Sequence, residues 1–248
     1  MASANPRIRI REATRADAAI MTEIQFAAFG TDVINQLMFP TVTEDAKKKH
    51  TASVLADMTP DGKKSSETIL MVAELLPEDA SVNGPGEVVS FGKWILRRQP
   101  VSEGEWSVET PVTAEMLGEG SNVDIDLLVH PLTLEGNTDL KTLVSVPNWQ
   151  RLGAGSALVR WGNELADSLG LASYLEASPY GYSVYKRLGF EDVDVLDFDM
   201  AGRWGAVKAE GRNWGESNAL ELGGPLPEGS MRTVIMKRTP SSFSKTSP

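Results

Sequence analysis

Apolar and polar positions first alternate at Ile8-Arg9-Ile10-Arg11, the two-residue period of a short strand. Thr14 then opens a helix, with Asp17 three residues on as the acidic half of a capping box and Ile20, Ile24, Ala27 and Ala28 as the expected buried stripe. After the Phe39-Pro40 break, residues 43–58 read as a second helix. Two strand-like runs follow, 68–75 (TILMVAEL) and 87–96 (EVVSFGKWIL). The turn residues Asn83-Gly84-Pro85-Gly86 join them, which suggests a hairpin.

Residues 98–138 follow no clear period, although 123–129 suit a short strand, and they are treated as an insert. Residues 140–146 form another strand candidate, stopped by Pro147. A glycine-containing loop follows. Beyond it Leu158, Trp161, Leu165 and Leu169 recur at helical spacing until Gly170, a suitable terminating residue. Residues 172–176 suit a strand and 179–188 a short helix ended by Gly189. Residues 190–200 and 231–238 suit two late strands separated by a Gly-rich excursion. The order is β-α-α-β-β-(insert)-β-α-β-α-β-β, with no repeat at a fixed period.

The chain has 248 residues, 41% of them hydrophobic, enough for one large core. No linker divides it, so residues 1–238 are read as a single domain and 239–248, rich in Ser, Lys and Pro, as a disordered tail. A net charge of −10 argues against nucleic acid as a general partner. It makes a basic partner electrostatically easier, or else simply keeps the chain soluble. There is no Cys and only two His, which rules out thiolate chemistry and a His-rich metal site, so no metal is expected. The N-terminal residues lack the apolar core of a secretory signal, and no apolar run reaches a membrane span. The expectation is a cytoplasmic protein without a membrane partner, monomeric or homodimeric.

The chemistry concentrates at Val146-Pro147-Asn148-Trp149-Gln150-Arg151-Leu152-Gly153-Ala154-Gly155-Ser156. A strand runs into a glycine loop that opens a helix. The first helical turn leaves N–H groups without internal acceptors, and the macrodipole adds partial positive charge, so a phosphate fits there. The dinucleotide fingerprint fails because Leu158 stands where its third glycine belongs, and no Gly-Lys-Ser/Thr exists for a P-loop.

Gln150-x-x-Gly153-x-Gly155 resembles the Q/R-x-x-G-x-G/A signature of the GNAT acyltransferase superfamily, and the run from Leu143 to Pro147 resembles that family's fourth strand. Tyr185-Lys186-Arg187-Leu188-Gly189-Phe190, about 30 residues on, resembles its Y-x-x-x-G-F. The two motifs in this order are far more specific than either alone. The likeness spans residues 140–197 well and the N-terminal elements more loosely. Tyr174-Leu175-Glu176-Ala177-Ser178-Pro179 resembles fungal members in particular.

The resemblance implies an α/β (α+β) GNAT fold, with a mixed, mostly antiparallel sheet flanked by helices and splayed between strands 4 and 5. It implies acetyl-CoA as co-substrate, held by Val144, Ser145, Val146, Gln150, Arg151, Leu152, Gly153, Ala154, Gly155, Ser156, Ser178 and Tyr185. The backbone N–H of Val144 is then the expected donor to the acetyl carbonyl. Tyr185 is the expected general acid for the departing thiolate. The sequence departs from the family at three places. Ser178 replaces a frequent Asn, Gly181 stands where Ala is usual, and Lys141 occupies the place of a fourth-strand carboxylate.

Each candidate has a plainer reading. Gly153 and Gly155 also suit a ligand-free turn, and Tyr185 a half-buried packing tyrosine. Glu176, the candidate base, also suits a solvent-facing strand carboxylate. Asp124, Asp126 and His130 reach the acceptor cleft if the insert folds over it, and otherwise belong to a solvated loop. Phe29, Phe39 and Pro40 wall the acceptor site or belong to the core.

The implied reaction is direct acetyl transfer from acetyl-CoA to a primary amine of a small molecule. A protein or peptide N-acetyltransferase and a non-catalytic acyl-CoA sensor are the alternatives. The insert argues for a small-molecule pocket, and Tyr185 argues for catalysis.

Overall fold

The computed structural model describes residues 7–58, 67–77, 86–99 and 136–241, together with Gly84, Gly118 and Ser121. Seven strands form one sheet in the order β1-β2-β3-β4-β5-β7-β6. They are β1 (Ile8–Glu12), β2 (Glu67–Leu75), β3 (Glu87–Arg97), β4 (Asn137–Ser145), β5 (Ala172–Ala177), β6 (Glu191–Asp199) and β7 (Ser230–Arg238). Every neighbouring pair is antiparallel except β4 and β5, which run parallel. The mixed sheet and its strand order agree with the α/β expectation, and the proposed hairpin is the β2–β3 pair.

Helices α1 (Ala18–Phe29), α2 (Val33–Met38) and α3 (Glu44–Asp57) precede the hairpin. The Asp17 carboxylate accepts from both the amide and the hydroxyl of Thr14 at 2.7 and 2.8 Å, as the capping-box spacing requires. Thr43 caps α3 through Ala46 N–H at 3.1 Å. The buried face of α1 differs from expectation. Ile20 is 42% exposed and Ala27 is exposed, while Ala18, Met21 and Ile24 are buried against the sheet. Helix α2 was not expected; it rests on the cap that Asp32 offers to the amide of Asn35.

Asp17 also binds the Arg11 guanidinium through both carboxylate oxygens, at 2.8 and 2.9 Å, and this holds its pKa down at about 2. A carboxyl whose folded pKa lies below its unfolded value near ~4 stabilises the fold above that value and loses the contribution as pH falls. Acid titration should therefore erode stability between about pH 4 and 2, and Asp17→Asn should flatten this limb. An unchanged acid limb by circular dichroism would count against the pair.

The two faces of the sheet carry separate cores. On one, Met71, Ala73, Val89, Trp94, Leu140 and Leu175 pack on Leu158 and Val159 of α4 (Ala154–Leu169). On the other, Leu70, Val72, Phe91 and Val144 pack on Met21, Ile24 and Val54 of α1 and α3. The alternation of adjacent strand residues between the two cores is the period of two made visible. Gly162 in α4 lets Trp94 lie flat on the helix, since a Cβ there would come within 2.4 Å of the indole nitrogen. Trp161 meets Trp94 edge to face at 5.2 Å. Gly170 ends α4 at φ +66°.

Three short helices complete the described chain: α5 (Tyr182–Arg187), α6 (Met200–Trp204) and α7 (Leu220–Gly223). The last two lie in the β6–β7 connection, where Met200, Trp214 and Met231 form a third core with Val33, Ile34 and Leu37 of α2. The expected strand at 123–129, with Asp124, Asp126 and His130, lies outside the described residues, as do residues 242–248 of the expected tail. Among the described residues, no helix is long and apolar enough to cross a membrane.

Candidate active site

Strands β4 and β5 pair only from Asn137↔Ala172 to Leu140↔Leu175. Beyond that point β4 runs on to Ser145 beside β3, while β5 turns to pair with β7. The parting begins next to Lys141, the extra residue of a bulge in β4, since Lys93 faces Thr142 and Trp94 faces Leu140. The result is a fork whose β4 edge has no strand partner beyond Leu140 among the described residues.

Register decides which groups these are. Val146 N–H donates to Val89 O at 2.9 Å, which makes Val89–Val146 a hydrogen-bonded pair of the antiparallel ladder. Two residues on, Phe91–Val144 is the next such pair, so Val144 directs its amide at β3. The groups facing the fork belong to Leu143 and Ser145. The amide of Val144, the expected donor, is thus turned away from the fork. The Gln150 amide reaches Ser145 O at 3.3 Å, on the fork side.

Pro147–Trp149 form a single 3-10 turn, and the chain then reverses through two left-handed residues, Arg151 (φ +65°) and Gly153 (φ +93°). The first intrahelical bond of α4 is Ala157 N–H to Gly153 O, 2.9 Å. The amides of Ala154, Gly155 and Ser156 precede it and have no acceptor within the helix. Arg151 and Leu152 are exposed. A Cβ at Gly153 would meet nothing within 4 Å, whereas one at Gly155 would touch Ser145 Oγ and Leu143 at 3.5 and 3.6 Å. The glycines thus differ: Gly153 supplies a left-handed backbone angle, whereas at Gly155 a Cβ would make only ordinary van der Waals contact with β4. An open, amide-lined helix start fits a pyrophosphate.

Tyr185 of α5 is buried to 7% exposure, edge-on to Phe190 with ring centroids 6.0 Å apart. Burial pushes its pKa well above the ordinary tyrosine range. Its hydroxyl has no hydrogen-bond partner among the described residues. Gly181 follows from this ring, because a Cβ there would lie 2.8 Å from Tyr185 Cε2. Ser178 Oγ accepts from Gly181 N–H at 3.2 Å and so fixes the turn between β5 and α5.

Glu176 is the first β5 residue past the last β4 partner, half-buried. Leu175 and Ala177 face α4, so Glu176 points to the other side, where Val144 faces α1 and α3. Phe39 meets Phe26 edge to face at 5.2 Å, and Phe29 packs on the α1–α3 core. Asp126 lies outside the described residues.

Sequence reasoning missed a cavity of about 100 Å³ beyond the fork. Its walls come from the start of α2 (Asp32, Gln36), the β5–α5 turn (Tyr180), the β6–β7 connection (Arg212, Trp214) and Met231. The turn is tied across it: Asn213 N–H donates to the Tyr180 hydroxyl at 3.1 Å, and Asn213 and Asn218 side chains donate to Pro179 O. The available signal was Asp32 three residues before Asn35, together with the Trp-containing β6–β7 excursion.

No family model matches the sequence, and no curated protein matches it. Solved structures do. One is the histone acetyltransferase HPA2 and related acetyltransferase from Corynebacterium glutamicum, 18% identical, TM-score 0.53, covering 96% of this chain and 99% of that one. Another is a mosquito arylalkylamine N-acetyltransferase like 5b, 16% identical, TM-score 0.52, covering 94% and 99%. With its forked seven-stranded sheet, the chain has the fold of the GNAT acetyltransferases.

Proposed function

We propose that this chain is an N-acetyltransferase that moves an acetyl group from acetyl-CoA to a primary amine of a small molecule by direct transfer. One observation supports the reading: where β5 leaves β4, the β4 edge leads straight into the amide-lined start of α4, an arrangement that suits a pantetheine arm ending in a pyrophosphate. The acetyltransferases of the same fold support it. The cavity of about 100 Å³ suits one small group better than a length of peptide.

The amides of Ala154, Gly155 and Ser156 would hold the pyrophosphate, and the exposed edge of Leu143 and Ser145 would pair with the pantetheine arm. Bound acetyl-CoA supplies an activated acyl thioester. A backbone N–H of that edge would polarise the carbonyl. Tyr185, kept protonated by its burial, would give its proton to the leaving sulfur. Glu176, at the fork, would accept the proton of the amine directly or through water. Holding two substrates in one opening would supply much of the rate.

The test is release of CoA, followed by mass spectrometry, across a panel of amines. Its companion is a pair of loop variants. Gly155→Ala should keep both fold and acetyl-CoA affinity, since its methyl meets only ordinary contacts. Gly155→Val adds two methyls against Leu143 and Ser145 and should weaken acetyl-CoA by about 10-fold or more at unchanged circular dichroism. Equal calorimetric affinity for the two variants would remove the loop from the site.

A further inference from the structure

The cavity beyond the fork holds two charges of opposite sign that are not used by each other. Arg212 is half-buried, and its guanidinium has no ion pair or side-chain hydrogen bond among the described residues. The other cations of the β6–β7 connection are engaged: Arg203 lies over the Trp204 ring at 4.9 Å, and Lys208 pairs with Glu216. Across the cavity, Asp32 is half-buried and accepts only from amides at the start of α2, at 3.1 Å from Asn35. No cation lies within ion-pair distance of it among the described residues. Burial holds its carboxyl above the usual range, the mark of an anion short of positive charge. Partly desolvated charges without an opposite charge are costly, so an arrangement that keeps two of them on one cavity suits a ligand that supplies both counter-charges.

Resting on the acetyltransferase reading, we propose that the acceptor is a small amino acid-type molecule, its amine held at Asp32 and its carboxylate at Arg212. Tyr180 lines the same cavity and adjoins in sequence Gly181, whose backbone lies against the Tyr185 ring. A guanidinium suits a carboxylate because its planar fork offers paired donors. Trp214 and Met231 give the cavity an apolar side for the carbon skeleton. A volume of about 100 Å³ admits the head of such a molecule.

The experiment compares matched ligands: phenylalanine with phenethylamine, tyrosine with tyramine, and leucine with isoamylamine. Binding is measured by calorimetry on the full chain, with and without CoA, so that turnover is not required. At least one amino acid should bind about 10-fold or more tightly than its decarboxylated partner. Arg212→Gln should abolish that margin and leave amine binding unchanged. Asp32→Asn retains a capping side chain, so the fold should hold while affinity for both ligands of a pair falls. Acetyl-CoA affinity should be unaltered in both variants. The proposal is overturned if no amino acid binds, if the amines bind equally well, or if Arg212→Gln leaves the margin intact. Acetylation of amines without carboxylate preference would sink this inference and keep the function proposed above. Amino acid binding without any acetyl-CoA binding would do the reverse.

Discussion

Tyr185→Phe should lower turnover by about 10²- to 10⁴-fold while acetyl-CoA still binds, the usual worth of a positioned general acid. That loss corresponds to about 3 to 5 kcal/mol of transition-state stabilisation. The substitution removes one oxygen and leaves the ring, so the edge-on contact with Phe190 and the fit against Gly181 persist. The hydroxyl has no partner among the described residues, so its removal orphans no protein group there and should cost little stability. Its raised pKa keeps it a donor through neutral and moderately alkaline pH, so it should not itself impose an alkaline limb on the rate there. The loss should appear equally in kcat and kcat/KM, because the proton is needed only as the thiolate forms. A thioester with a better leaving group should recover part of the rate. Near-normal turnover of the variant with acetyl-CoA would make the tyrosine a wall of the pocket and water the proton source.

The parts of this structure that local chemistry dictates were legible in the sequence. Thr43 and Asp17 sit where short polar side chains satisfy helix-start amides, and Gly153 and Gly170 sit where the backbone needs positive φ. The loop and the helix after it follow from such local demands, whereas Tyr185 stood out only through the resemblance of Tyr185-x-x-x-Gly189-Phe190 to a family motif. What was not legible depends on partners distant in sequence. Helix α1 has apolar residues on nearly every side, so its period does not select a face, and Ile20 and Ala27 turned outward. Helix α2 is six residues long, too short to show a period, and its apolar side is covered by the β6–β7 connection. Whether Val144 or its neighbours face the fork is a matter of odd or even register. The β3 pairing sets this, and the residues of β4 alone do not reveal it. Asp32 and Arg212 are 180 positions apart in sequence and share a cavity only because the β6–β7 connection folds over α2.

Arg232 shows the same limit, and it carries the largest stability effect expected here. It lies in the strand expected at 231–238 and carries a charge, yet its side chain is 0% exposed. All five N–H donors of the guanidinium are used. Two reach the carboxylate of Asp197, the cross-strand neighbour, at 2.7 Å each. The others reach the carbonyls of Gly224 at 2.8 Å and of Asn218 and Gly223 at 3.2 Å. Gly223 permits this wrapping, because a Cβ there would lie 2.9 Å from Arg232 Cζ. Arg232→Met keeps much of the stem and strands three carbonyls and a carboxylate. It should cost about 3 to 5 kcal/mol, the range for breaking a buried pair. In a chain of this size that lowers Tm by about 6 to 20 °C. Arg232→Lys should fall between, since one ammonium has three donors for five acceptor contacts. The guanidinium ties the β6–β7 connection to the sheet, and that connection carries Arg212 and Trp214. Below its lowered Tm, the Met variant should therefore show a raised acceptor KM with acetyl-CoA affinity intact, because none of the guanidinium's contacts is with β4, the loop after it or α4. A Tm within about 2 °C of the parent, by differential scanning calorimetry, would show that the five contacts are replaced by water at no cost.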